Sequence, residues 1–482
     1  MDNQEIEQKI IHLLSDYAEK GEKPISLDSN LEEDLGLDSL DRVETIMRLE
    51  EEFNVNFGEN EKPYTTIREI VGEVKNLLGQ GKVGETTPQK NSKLVVSLSD
   101  LKVDKSDVER AGFNPYYREV ESGLGRRIII NGKELINLGS NDYLGIANSP
   151  ELKKVAVEAL QKYGLSMCGT PIVIGHTDLN RSLERRLAEF LGTEDALVFP
   201  SGYQANIGVF QTITQKEDII IADKFAHSSL HSGIALSKAK KRLFNHNDLE
   251  DLENILKRAQ EHSKRFVVVE GLYSTEGDTT PLRGILSLSK KYNAFVILDD
   301  AHGIGVLGNK GKGIIEREDS IGEVDLITGS LGKAIGCFGG FIATSSEITD
   351  ILRYRMGSLI YSTALPPAIC SASLKSLEII ERAQDRRKKI GENKEKLYHA
   401  LNELGYTLTP SSTPLFSVIT GTNYRTAELA RDLNENGVYG TPFMIPSVPE
   451  GRALIRLIPH ANLTEDDLTE TMGAFKRIKD KK

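Results

Sequence analysis

Cysteine is scarce in this chain of 482 residues: Cys168, Cys337 and Cys370 are an odd and widely scattered set. They provide neither a disulfide framework nor the paired spacing of a zinc site, so no metal is expected and a reducing, cytoplasmic setting is. Long apolar runs are missing too, since none approaches the roughly 18 residues a membrane span needs. The opening, MDNQEIEQKI, lacks the basic stretch and apolar core of an export signal. There is no internal repeat and no low-complexity tract. The length exceeds what one hydrophobic core commonly serves, so two or more folded units are expected.

Charge is present but unevenly placed. The net charge is −11, yet residues 1–80 alone hold eight Lys and Arg against twenty Asp and Glu, leaving the remainder close to neutral. An acidic head of this kind excludes nucleic acid as its partner and suits a basic protein surface; it also serves simply as a solubilising face. Within it, apolar residues recur at helical spacing: Ile6, Ile10, Leu14 and Tyr17; Leu40, Val43, Met47 and Phe53; Ile67, Ile70, Val74 and Leu77. Three such stripes predict a small helical bundle with one core. From Gly79 the text becomes GQGKVGETTPQKNSK, whose glycine, polar and charged composition predicts a linker.

Beyond about residue 110, short apolar runs alternate with helical patterns: ALVFPSGYQAN, DIIIADKFAHSS, RFVVVEGLYS, AFVILDDAHG and DLITGSLGK. Near-continuous Val, Ile, Leu and Phe predict strands of a mainly parallel sheet covered on both faces. Each run ends in residues capable of chemistry. Ligands of such sheets bind outside the carboxyl ends of the strands, which places Ser201–Tyr203, His227, Ser274, Asp299–His302 and Lys333 on one rim.

Lys333, in LITGSLGKAIG, follows a glycine turn without the spacing of a nucleotide phosphate loop. A lysine at a strand end whose charge is suppressed can form a Schiff base with an aldehyde cofactor. Pyridoxal phosphate then needs an acid for its ring nitrogen, a flat face against its ring and a phosphate cradle. Asp299 with His302 three residues on, His227 in FAHSS, and the glycine turn SGYQAN supply one candidate for each. Singly, each has an ordinary explanation: a helix cap, a satisfied interior histidine, a solvated lysine. Their joint occurrence in this order outweighs those explanations.

From about Phe113 onward the chain resembles the α-oxoamine synthases, fold-type-I pyridoxal phosphate enzymes that include 8-amino-7-oxononanoate synthase, 2-amino-3-ketobutyrate ligase and serine palmitoyltransferase. The resemblance rests on LGSNDYLG, SGYQAN, AHSS, EGLYSTEGD, DDAHGIGVLG, TGSLGKAIG and YSTALPP. It implies Lys333 as the Schiff-base lysine, His227 stacked on the ring, Asp299 at the pyridine nitrogen, and His302 with Ser274 at the ring oxygen. It further implies that Gly202, Tyr203 and Ser330 hold the phosphate. Thr363 would reach the phosphate of a neighbouring subunit in a homodimer. Arg456 and Asn141 would bind the amino-acid carboxylate, and Ser447 falls at a substrate position. Two departures stand out: Pro171 in CGTPIVIG where many relatives have arginine, and Ser330 where threonine is common. The activity implied is condensation of an α-amino acid with an acyl thioester, releasing CO2 and giving an α-amino ketone. The alternatives are an acyl-CoA-dependent synthase whose carrier domain serves another pathway step, an aminotransferase acting on a carrier-tethered carbonyl, and a non-catalytic scaffold.

The first 80 residues, around LEEDLGLDSLDRVETIMRLEEEF, resemble acyl carrier proteins, in which the serine of Asp-Ser-Leu carries 4′-phosphopantetheine. That implies Ser39 as the attachment point, although Asp38 and Ser39 also suit a helix cap. Glu44, Glu50, Glu51 and Glu52 would form an acidic face toward a phosphopantetheinyl transferase and an acyl-loading enzyme. The expected organisation is a four-helix carrier bundle over 1–80, a linker over 81–105, a cofactor-binding α/β domain over 106–370 and a smaller α+β domain over 371–482.

Overall fold

A computed structural model describes residues 3–15, 25–31, 35, 45–46, 48–50, 52–53, 55, 57, 64–79 and 105–481. The chain divides into two compact units, Met1–Lys102 and Val103–Lys482. In the first, helices Asn3–Ser15 and Ile67–Gly79 bury Ile6, Ile10 and Leu14 and Ile67, Ile70, Val71 and Val74 in one core with Leu31, Leu49, Phe53 and Phe57. The helical spacing seen in the sequence thus becomes one apolar seam on each helix. Glu69 accepts from the backbone N–H groups of Thr65 and Thr66 at 2.6 and 3.2 Å, which satisfies donors at the start of the second helix. Tyr17, Ser39, Leu40, Val43, Glu44, Met47, Glu51 and all of 81–105 except Lys105 lie outside the described residues, as does much of the expected four-helix arrangement.

The second unit is built on a seven-stranded sheet. Its strands follow a hairpin, β1 (Arg127–Ile130) and β2 (Lys133–Asn137), and are β3 (Asp195–Phe199), β4 (Ile219–Asp223), β5 (Lys240–Phe244), β6 (Arg265–Glu270), β7 (Ala294–Asp299), β8 (Leu326–Ser330) and β9 (Gly340–Thr344). They lie in the order β3-β9-β8-β7-β6-β4-β5, and β9 alone runs antiparallel to its neighbours. Every residue of β3, β4, β6 and β9 is buried. Alternate side chains of one strand enter different cores: Val267 and Val269 of β6 pack in one, Phe266 and Val268 in the other. The edge strand β5 reads KKRLF and exposes its first four residues, a charged edge that discourages pairing with another sheet.

The C-terminal part adds β10 (Phe416–Gly421), β11 (Val438–Tyr439), β12 (Thr441–Phe443) and β13 (Ala453–Leu457), with sheet orders β10-β13-β12 and β1-β2-β11. The early hairpin is therefore paired into the end of the chain, through Val438 opposite Ile136. Ile136 and Leu138 share a core with Phe416, Val418, Leu457 and Phe475. Among the described residues no helix is long and apolar enough to cross a membrane.

A charged clamp fixes the loop that follows β6. His246, just past β5, bonds Asp223 Oδ1 through Nδ1 and Asp278 Oδ2 through Nε2, both at 2.9 Å, and its ring stacks on Phe225. On the other side, Ser411 and Thr413 donate to Gly277 O, each at 2.8 Å, and Ser417 donates to Thr275 O at 2.8 Å. The loop carrying Ser274 is thus held from both the large sheet and the C-terminal part. Burial disfavours the His246 imidazolium, but the bonds to Asp223 and Asp278 overcome this and raise its pKa to about 9. Because the folded value exceeds the unfolded one of about 6.5, the clamp contributes fully below that pH and is lost as pH climbs through about 9. The gap in thermal midpoint between the wild-type protein and His246→Gln should therefore close between about pH 7 and pH 10. A gap that stays constant across that range would show that the clamp is not charged.

Candidate functional site

Five strands deliver the sequence-derived residues to one rim. At the end of β3, Ser201 caps the helix Gly202–Ile213 by accepting from Gln204 N at 3.1 Å. The first N–H groups of that helix, at Gly202 and Tyr203, have no intrahelical partner and suit a phosphate. A Cβ on Gly340 of β9 would strike the backbone of Gly202, so glycine there lets the helix start seat against the sheet. Ser330 closes β8 beside it, its Oγ accepting from Gly332 N at 3.1 Å.

Asp299 ends β7, buried, with Oδ1 accepting from Ala301 N at 3.0 Å and Oδ2 from Asn206 Nδ2 at 2.7 Å. His302, also buried, places Nδ1 2.8 Å from the Tyr143 hydroxyl. Burial, reinforced by the nearby Lys333 and Arg456 cations, pushes the His302 pKa well below its ordinary value. Burial likewise raises the Tyr143 phenol, so the hydroxyl keeps its proton and shares a hydrogen bond with an uncharged imidazole. Lys333 sits three residues past β8 and is partly buried. Desolvation by the site walls lowers its pKa, with Asp299 and Glu270 opposing, which moves the amine toward its nucleophilic form.

His227 caps the helix Ser228–Ala235. Its Nδ1 accepts from Ser229 N at 3.2 Å while the residue stays exposed, leaving the ring open to a ligand. Desolvation outweighs the attraction of Asp299, and Lys333 and Arg456 add to it, so the His227 pKa is lowered as well.

Arg456 comes from β13 and is buried. Its guanidinium donates to Asn141 Oδ1 at 3.0 Å and to Ser274 O at 3.2 Å, lies over Phe443, and leaves Nε unsatisfied. Among the described residues no carboxylate pairs with it, and burial lowers its pKa. A buried guanidinium held only by neutral acceptors is a site for an anion, and its flat fork matches a carboxylate. The donor set fits pyridoxal phosphate: an amine of suppressed charge, a buried carboxylate, an open imidazole face and a helix start beside a hydroxyl.

Thr363 and Ser447 are exposed, and among the described residues no hydrogen bond ties either to Lys333 or Arg456. Ser274 enters through its carbonyl on Arg456. Several neighbours escaped the sequence reading: Tyr143, Asn206, Ser229 and the buried Glu270, whose carboxyl is driven well above its ordinary pKa by burial and by Asp299. Tyr143 and Asn206 lie inside LGSNDYLG and SGYQAN, so the signal was position within those motifs.

The Aminotransferase class I and II family matches residues 133–475, and the Phosphopantetheine attachment site family matches residues 8–74. The chain is 38% identical to 8-amino-7-oxononanoate synthase of Thermoanaerobacter pseudethanolicus, over 79% of this chain and 98% of that protein. It superposes on serine palmitoyltransferase from S. paucimobilis, solved with bound PLP-myriocin aldimine, with a TM-score of 0.77 and 27% identity, covering 81% of this chain and all of that one. Sphingomonas wittichii serine palmitoyltransferase gives a TM-score of 0.76 at 30% identity, covering 81% and 99%. These matches and the rim geometry agree: the chain belongs to the pyridoxal phosphate-dependent α-oxoamine synthases of the aminotransferase class I and II family, preceded by a phosphopantetheine attachment domain.

Proposed function

We propose that the protein condenses an α-amino acid with an acyl group carried as a thioester on its own N-terminal domain, releasing CO2 and giving an α-amino ketone. The observation that carries this reading is Arg456, a buried cation with neutral partners only, facing the same site as Lys333. In this reading Arg456 and Asn141 grip the amino-acid carboxylate, and Lys333, with its charge suppressed, removes the proton from the α carbon. Pyridoxal phosphate would supply the electron sink, with Gly202, Tyr203 and Ser330 to hold its phosphate and His227, Asp299, His302 and Ser274 to hold its ring. In this reading His227 would bond the incoming acyl carbonyl, and Ser447 would line the substrate entrance. Overall, a bond forms between the α carbon and the acyl carbonyl carbon. The thioester C–S bond and the bond to the carboxylate break, so thiol and CO2 leave and the α carbon regains a proton.

Ser39 is the proposed attachment point of the phosphopantetheine arm. A linker of about 25 residues with the composition of 81–105 spans on the order of 25–30 Å, and tethering at that range raises the effective thioester concentration to about millimolar. The protein is also proposed to be a homodimer. Ile172, Val173 and Ile174 are exposed on a short π-helix, Pro171–Gly175, and the chain just before it is tied to the segment of Thr363 by Ala364 N bonding Gly169 O at 3.1 Å; Tyr361 of that segment is exposed as well. A monomer rarely leaves such a patch uncovered, and covering it with a second copy would bring Thr363 toward that copy's phosphate site.

Lys333→Ala should abolish the visible band of lysine-bound cofactor together with turnover. A variant retaining both removes Lys333 from its role. After incubation with a phosphopantetheinyl transferase and CoA, intact-mass measurement should show the arm on the wild-type protein and not on Ser39→Ala. With the acyl group supplied through the carrier, Ser39→Ala should lose turnover. Equal rates would leave the synthase using free acyl-CoA, with the carrier serving another step.

A further inference from the structure

Asp299 and His227 stand on different elements, yet one amide connects them. Asn206, in the helix Gly202–Ile213, points Nδ2 at Asp299 Oδ2, 2.7 Å away, and at Ser229 Oγ, 2.9 Å away. An amide nitrogen has two protons and nothing to accept with. Turning the amide over would set its oxygen against the carboxylate, so the chemistry fixes its orientation. Ser229 Oγ therefore receives a proton from Asn206 and has its own to give. It lies 2.8 Å from His227 Nδ1, which also accepts Ser229 N–H at 3.2 Å. Two donors on Nδ1 leave it no proton of its own, so the proton of the neutral imidazole is on Nε2.

The backbone makes room for this chain of bonds. A Cβ on Gly233, in the helix Ser228–Ala235, would lie 2.6 Å from Asn206 O and 3.0 Å from Ile207 Cα. Glycine at that position lets the two helices approach closely enough for Asn206 to meet Ser229. All three side chains between the helices and the strand, Asn206, Ser229 and Asp299, are buried, so water does not compete for the bonds.

We infer that Asn206 and Ser229 are positioning residues for the reaction: one relay, Asp299···Asn206···Ser229···His227, holds the carboxylate in place and fixes His227 as the Nε2–H tautomer. Ring nitrogen partner and ring-stacking donor are thereby set by the same amide. The inference rests on the reading above for what Asp299 and His227 contact, while the relay itself is a property of the protein alone. The lowered His227 pKa agrees with an uncharged ring that accepts at Nδ1.

The test has an arm without cofactor and an arm with it. In the apoenzyme labelled with ¹⁵N-histidine, with His227→Gln assigning the signal, Nδ1 of His227 should be unprotonated and Nε2 protonated in the wild-type chain. Ser229→Ala, which loses one hydroxyl but keeps the backbone donor, should shift that ring toward a mixture of tautomers. In the holoenzyme, Asn206→Ala should weaken pyridoxal phosphate binding roughly ten-fold or more, the scale of a lost bond to a charged group, and shift the pH midpoint of the visible band. Ser229→Ala should lower kcat while cofactor affinity and the amino-acid KM stay near wild type. A wild-type His227 protonated at Nδ1 overturns the relay, as does an unchanged tautomer in Ser229→Ala. An Asn206→Ala holoenzyme with unaltered affinity and pH midpoint overturns its effect on the cofactor. If the wild-type chain bound no pyridoxal phosphate, the proposed function would fail while the apoenzyme measurement still decided the relay.

Discussion

Several charges are confined at one desolvated rim, and the arrangement of the site follows from the need to hold them there. Arg456 and Asp299 are buried and Lys333 partly so, close enough that each perturbs its neighbours. Taking such charges from water is costly unless polar groups replace the water, and here those groups are carbonyls, amides and backbone N–H. Asn141 and the Ser274 carbonyl serve Arg456; Asn206 and Ala301 N serve Asp299. The same desolvation keeps His302 and His227 uncharged, which lets them act as hydrogen-bonding rings rather than as cations repelled by Lys333.

That confinement explains why elements far from the chemistry are built as they are. The parallel strands bring their carboxyl ends to one edge, where polar side chains can leave the core without stranding backbone groups. The hairpin β1-β2 ties the start of the catalytic unit to β11 in its C-terminal part, and LGSNDYLG, which carries Asn141 and Tyr143, follows directly from it. The loop carrying Ser274 would otherwise be free to move the acceptor that Arg456 needs. It is bound instead by His246 on one side and by Ser411, Thr413 and Ser417 on the other.

The apolar runs were legible in parallel strands buried on both faces, as in DIIIAD, RFVVVE and AFVILD. The strand KKRLF was not, because an edge position favours charge over the periodicity that marks a strand. GFIAT was also missed: its first residue is a glycine, required by the approach of Gly202. Asp299, His302, His227 and Lys333 could be read because each follows its strand or turn locally. For Tyr143 and Asn206 only the motif was legible and not the role, since their partners arise from tertiary folding: Tyr143 meets His302 across 159 residues and Asn206 meets Asp299 across 93. In the first unit, Ile6, Ile10, Leu14, Phe53, Ile67, Ile70 and Val74 are buried where the stripes placed them, while Leu77 is only partly so.

Union of amino acid and acyl group with loss of the carboxylate at Arg456 is best followed through that carboxylate. The acyl-loaded holoprotein should be given an α-amino acid labelled in its carboxyl carbon, and the label traced together with the acyl group. Condensation releases labelled CO2 in amounts equal to the acyl group consumed, with the acyl chain recovered as an α-amino ketone. Label retained in an α-keto acid, with the thioester intact, would contradict it and mark the protein as an aminotransferase.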